Sequence, residues 1–365
     1  MRMTLFPCAV LIATVVAFSS VAMAQSPGLS IPKEALRAPD LPSVYEEMIV
    51  DYVKYWTKVF ETSKKANELT GARTALVAGF RQYEEANFRT AYAKALTASA
   101  KGVIAKLGGN EAIQLSLALS QADDPAMLPA LDVMVKHANS GVRYLGWKAF
   151  TNGAMRENVL KAGKAPTDAM MKLLADRAQK ETSAVVIGAM LDALRIPTAS
   201  DATLREVAQK SGWQTMQALW PKIAAKVLAG DADLAGAARQ GVITLVYYNN
   251  SMKGADKNLI LQMLVDMMWC AAYAYANAGA DAALTDMNAQ LARDAEIAIG
   301  RITGTVKPLV QAAMLNDEAE SADQRGDDAI AAANEWVTLL GLKNPKARFK
   351  APPRVTTSTS APAEE

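Results

Sequence analysis

Histidine and cysteine are almost missing from the 365 residues: His137 is the one histidine, and Cys8 and Cys270 are the two cysteines. A single histidine excludes poly-histidine zinc or iron sites, and it obliges any Ser-His-Asp triad to use His137. Two cysteines exclude a disulfide scaffold, an iron–sulfur protein and a four-cysteine zinc site. Net charge is nearly missing as well. A formal charge of +2 argues against a dedicated nucleic-acid binder. Strand signals are scarce. The best of them, 242–248 (VITLVYY), continues from the helical stretch 234–239, and the whole reads as one helix ending at Asn249 and Asn250. Residues 301–307 are the other candidate and read as a loop. No G-x-S-x-G, G-x-G-x-x-G or P-loop pattern occurs, which lowers the expectation of an enzyme without removing it.

What the chain has instead is alanine, roughly 70 residues of it, the strongest intrinsic helix former. Aliphatic and aromatic residues reach 51%. The composition therefore predicts an all-α protein with an ample core.

The two ends differ from the middle. Residues 1–24 read as a secretory signal peptide: Arg2 supplies the positive start, 5–18 an apolar run, and Ala22-Met23-Ala24 a small-x-small cleavage pattern. The expectation is an exported chain, periplasmic or extracellular, starting at Gln25. Cleavage removes Cys8, so Cys270 has no internal partner, and stability must come from the core. Residues 25–40, with Pro27, Pro32 and Pro39, read as an irregular lead-in. At the other end, 344–365 read as a disordered tail. Arg348, Lys350 and Arg354 are followed by a Thr/Ser-rich stretch closing on Glu364 and Glu365, with few apolar side chains to offset ordering entropy. Such a tail could make weak contact with an anionic surface.

Between the ends the pattern is helical. Tyr45, Met48, Tyr52, Tyr55, Trp56 and Phe60 share one helix face, with Asp40 expected to cap it and Pro42 in its first turn. A second helical stretch is expected over 72–107, ended by Gly108, Gly109 and Asn110. Together 41–109 form an N-terminal helical segment. From 110 to 343 the chain shows self-similarity at a shift of 44 residues: Val142 meets Val186, Trp147 meets Leu191, and Ala149-Phe150 meets Ala193-Leu194. Asp124 and Pro125 open a first helix, with Asp124 as cap and Pro125 where no amide is missed. A short turn at Asn139-Ser140 follows, then Val142-Arg143 and Ala149-Phe150 on a second helix.

These residues resemble a HEAT repeat, an armadillo-type family of paired helices stacked into a curved solenoid. The resemblance covers 110–153 best, then 166–196, and extends weakly over 213–248. It implies a right-handed α-solenoid of stacked helical hairpins that binds a protein or peptide partner. It also implies that the second-helix arginine pairs with a preceding aspartate. Arg143 stands at that position, and Ile187 replaces it in the second copy. Independently of the family, the stretch 258–278 is apolar nearly all round. Gln262 and Asp266 near its centre favour a buried helix over a membrane span, so no span is expected after cleavage.

His137 is at a helix end and Cys270 in an apolar run, so a thiol–imidazole pair is not expected. Met263, Met267 and Met268 could suit a soft metal but read as core. Asp231 and Asp233 begin like a calcium loop, yet Val242 stands where a bidentate glutamate is needed, and Asp231 reads as a helix cap. Asp317, Glu318, Glu320, Asp323, Asp327 and Asp328 form an acidic cluster that reads as a solvated face. Trp147, Trp213 and Trp220 read as core, and Trp336 as a cap on the last repeat. No cofactor and no metal is expected. The partner contacts expected on the exposed second-helix faces are Arg143, Lys148 and Arg156. Two alternatives stay open: an envelope-polymer or glycan binder using the basic tail and tyrosines, and a hydrolase using a carboxylate pair.

Overall fold

In the computed structural model the described residues are 30–82, 85–151, 154–196, 201–319, 321–351 and 353. Among them the secondary structure is helical, without a strand. The expected signal segment 1–24 and the far tail 354–365 lie outside the described residues.

The helices in chain order are α1 (Lys33–Leu36), α2 (Ser43–Thr62), α3 (Ala66–Arg81), α4 (Ala86–Ile104) and α5 (Gly109–Leu119). A 3-10 turn, Pro125–Met127, leads into α6 (Leu128–Val135), followed by α7 (Ser140–Thr151), α8 (Met155–Lys161), α9 (Lys164–Ala178) and α10 (Ala184–Ala193). Then come α11 (Ala202–Leu228), α12 (Ala232–Ser251), α13 (Lys257–Ala276), α14 (Ala282–Thr303), α15 (Leu309–Met314), α16 (Ala322–Leu339) and α17 (Pro345–Arg348).

Most helices pack on one two or three places further along the chain, which sorts them into two rows. Helices α2, α4, α6, α9, α11, α13 and α16 each pack on the next in that series. Helices α3, α5, α7, α10, α12, α14 and α15 do the same. The two series face each other through the pairs α2–α3, α6–α7, α11–α12, α13–α14 and α15–α16. The core lies between the two rows, where Phe60, Tyr92, Trp147, Phe150, Trp220, Trp269 and Trp336 are buried. This is an all-helical, repeat-like arrangement, compatible with a helical-repeat fold.

Local signals explain where several helices start. Asp201, Asp231, Asp256 and Asp281 each accept the backbone N–H of a leucine three residues on, at 2.9–3.0 Å: Leu204, Leu234, Leu259 and Leu284. An Asp-x-x-Leu pattern thus opens four successive helices, because the carboxylate satisfies an amide that has no partner within the helix. Asp124 likewise accepts from Ala126 at the 3-10 turn, with Pro125 next to it, as expected. The 242–248 run is helical within α12, where Thr244 and Tyr248 donate to carbonyls of α10 and its end.

Four expectations need correction. The helix expected over 72–107 is two antiparallel helices, α3 and α4. They fold back closely because Gly79 has no side chain: a Cβ there would stand 2.2 Å from the Tyr92 ring, whose hydroxyl donates to the Leu76 carbonyl at 2.9 Å. Gly108 and Gly109 consequently open α5 instead of ending a helix. Asp40 does not cap α2, which begins after Pro42 without a side-chain cap. The lead-in contains the short helix α1, fixed by the buried Ala35.

The fourth correction concerns the start of the expected disordered tail. Residues 344–349 are helix α17 with its flanking residues, docked on α13. The Gln262 amide donates to the Lys343 carbonyl (2.9 Å) and accepts from the Lys343 N–H (2.8 Å). Asn344 caps α17 through the Lys346 N–H, Arg348 pairs with Asp266, and Phe349 is buried. The basic run looked solvated in sequence because its acidic partner lies 82 residues away.

Candidate functional site

Helices α7, α10 and α12 lie side by side in one row and leave an open groove of ≈ 530 Å³ on their exposed face. Small residues make its floor: Ala184, Gly188 and Ala189 from α10, and Gly236 and Ala237 from α12. At Gly188 a Cβ would meet Ala237 at 3.5 Å, so α10 and α12 approach closely there. The rim is polar and mixed in sign. Tyr144 and Lys148 come from α7, Ser183 and Asp192 from α10 and its start, and Asp233 and Gln240 from α12. Val185 is the apolar exception, 56% exposed beside the floor.

The three expected contact residues part company here. Lys148 lines the groove. Arg143 is spent inside the fold. Its guanidinium forks onto Glu181 (Nε to Oε2 2.8 Å, Nη2 to Oε1 2.9 Å) and donates to the carbonyls of His137 and Ala138. The resemblance implied a preceding aspartate as partner; the partner is a following glutamate. Glu181 in turn accepts the N–H groups of Thr182 and Ser183 at the start of α10. Burial works against the charged Glu181, but the Arg143 fork and those two amides outweigh it and hold its carboxyl below the usual range.

Arg156 is also committed. It donates to the Asp192 carbonyl at 3.0 Å and to that of Arg195, at the C-terminal end of α10. Burial, with the neighbouring Arg195 charge, pushes its guanidinium down to about 10. Tyr247 and Tyr248 donate to the carbonyls of Ile196 and Leu194 beside it. Side chains from α8 and α12 thus satisfy the carbonyls that the end of α10 leaves without helical partners. Arg143 and Arg156 fix the two ends of α10, the central helix of the groove. Asp192 is tied to Arg195 by an ion pair. Sequence reasoning missed Val185, Gly188, Asp192, Asp233 and Gln240 because no local pattern shows which faces of three separate helices align.

Other candidates have plain structural roles. The Asn139 N–H donates to Nδ1 of His137 at 3.0 Å, so Nε2 carries the proton and donates to the Leu107 carbonyl at 3.0 Å. Cys270 is buried in α13, where burial and then the Asp266 charge push its thiol well up. α13 packs on α11, α14 and α16, whereas His137 sits at the α6–α7 turn, so no thiol–imidazole pair forms. Asp231 caps α12 as expected. Trp147, Trp213 and Trp220 are core, and Trp336 donates to the buried carboxylate of Glu296 at 2.7 Å. Glu296 also accepts the N–H groups of Val310 and Gln311, joining α14, α15 and α16. Among the described residues no group of three or more His, Cys, Asp or Glu could hold a metal ion. Also among them, α13 is the one helix long and apolar enough to cross a membrane, and 83% of its apolar window is buried inside the fold.

Comparison with protein-family models, with curated proteins and with solved structures gives no match.

Proposed function

We propose that this protein is an exported helical-repeat scaffold, a right-handed HEAT-like α-solenoid whose groove over α7, α10 and α12 binds an extended segment of a protein or peptide. The observation that carries the reading is the groove itself. It has a small-residue floor that admits close approach of a backbone, and a rim whose amide, hydroxyl, ammonium and carboxylate groups suit peptide groups and mixed side chains. The packing of the helices into two facing rows supports the solenoid, and the anchoring of both ends of α10 supports a preformed surface. Export rests on the composition of 1–24, and the exposed Lys350 is available for weak contact with an anionic envelope surface.

The test is site-specific photo-crosslinking in the native host. A benzophenone side chain at Val185 is expected to capture one discrete partner, and the same partner from Lys148. A benzophenone at Lys226, exposed on α11 in the other row, is expected to capture none. Equal capture from all three positions, or no discrete product from Val185, overturns the reading.

A further inference from the structure

At the end of α14 the chain doubles back on itself. Gly304 takes a left-handed φ of +78°, which a residue with a side chain rarely adopts, and its N–H donates to the Gly300 carbonyl at 2.8 Å. The Thr305 carbonyl then rests over Gly300, where a Cβ would stand 2.8 Å from its oxygen. Two glycines thus hold the loop 304–308 close against α14. Between that loop, the last turns of α14 and the start of α15 lies an open pocket of ≈ 350 Å³. Small-molecule sites run from about 300 to about 1,000 Å³, so this one suits a short ligand.

The lining divides into an apolar zone and a cationic one. Ile297, Val306 and Pro308 supply the apolar surface. Val306 is 93% exposed, the most exposed large hydrophobic side chain among the described residues, and Ile297 is 42% exposed. Arg301 and Lys307 supply the charge. Both are exposed, and neither makes an ion pair among the described residues. The stretch 297–316 holds no acid to neutralise them. The one carboxylate in the lining belongs to Glu296, which is 4% exposed and already accepts the N–H groups of Val310, Gln311 and the Trp336 indole. Its buried charge repels an anion from the inner end of the pocket and leaves the rim, with Arg301 and Lys307, as the place for one.

We propose that this pocket binds a small amphiphile with one anionic head and one apolar chain of medium length. The chain lies against Ile297, Val306 and Pro308 and takes their exposed surface out of water. The head sits at the rim between the guanidinium of Arg301 and the ammonium of Lys307, donors that suit a carboxylate or a phosphate. The loop is held by its glycines before the ligand arrives, so little ordering opposes binding. The pocket shares no residue with the groove over α7, α10 and α12.

Isothermal titration calorimetry of the purified full chain with octanoate and with octyl phosphate, both below their micelle-forming concentrations, tests this. One-to-one binding with a Kd below about 1 mM is expected for at least one of them, and the tighter of the two names the head group. Octanol, with the same chain and no charge, is expected to bind at least about tenfold more weakly. Arg301→Gln/Lys307→Gln and Val306→Asp, all at exposed positions, are each expected to weaken the anion at least about tenfold with unchanged helical circular dichroism. Val185→Asp, in the other groove, is expected to leave it unchanged. Binding of neither anion overturns the proposal, as does octanol binding equally tightly or an affinity insensitive to the pocket variants. Co-sedimentation with anionic phospholipid vesicles that is lost in Val306→Asp, without binding of either soluble anion, also overturns it and assigns the patch to a membrane surface instead.

Discussion

Arg348 closes an ion pair on the buried Asp266, across 82 residues of chain and beside a Gln262 amide that holds the backbone of Lys343 at both its donor and its acceptor. Burial pushes Asp266 up from 3.8 to about 6, against the pull of Gln262 and Arg348. Folding therefore favours its protonated form. The favourable contribution is full below the unfolded value and is lost as pH rises through about 6. Asp266→Asn keeps the shape and removes the titration. Between pH 4 and pH 7.5 the parent is expected to lose of the order of 2 kcal/mol relative to this variant. Urea unfolding of both proteins at several pH values measures it, and parallel pH profiles would refute it.

Glu181 is expected to act in the opposite direction. Its carboxyl is held low, so its contribution is present above the ordinary carboxylate range and disappears as pH falls through its lowered value. Glu181→Ala strands Arg143, whose side chain is 14% exposed, and uncaps the start of α10. A loss of about 3 kcal/mol at pH 7 is expected, shrinking in acid as the parent protonates. Denaturant midpoints at pH 7 and pH 3 give both figures.

The four Asp-x-x-Leu caps offer a graded series. Asp231→Ala and Asp256→Ala are each expected to cost about 1 kcal/mol, and the double variant about their sum if the sites are independent. Thermal midpoints of the three variants decide it.

Gly79 and Gly102 make a matched pair. Gly79→Ala drives a methyl into the Tyr92 ring and is expected to destabilise by about 1–3 kcal/mol. At Gly102, inside α4, a Cβ meets nothing within 4 Å, and Gly102→Ala is expected to stabilise by about 0.5–1 kcal/mol. Equal effects of the two substitutions would contradict the close-approach role of Gly79.

The helical class, the Asp124-Pro125 start, the Asp231 cap, the helicity of 242–248 and the burial of the tryptophans were all legible in the chain, since each rests on local propensity or on a nearby hydrogen bond. The other three Asp-x-x-Leu starts rest on the same local hydrogen bond. What local pattern does not encode is contact between distant helices. Nothing near Arg156 says that it will spend its donors on the far end of α10, and nothing near Arg348 points to Asp266. The groove suffers the same way: its floor is glycine and alanine in a chain full of alanine, so its residues carry no compositional mark.

Distances along the chain also set an order of assembly. Arg143 to Glu181 spans 38 residues, Trp220 to the Met263 carbonyl 43, and Arg239 to Asp294 55. Each is a loop of roughly one helical pair, and closing such loops one after another is cheap in entropy. A chain folding from its first helices can therefore zip up, each new pair landing on a finished one. The clasp of Gln262 and Asp266 on 343–348 spans 81 and 82 residues and needs α13 in place beforehand. Of these contacts it closes the longest loops.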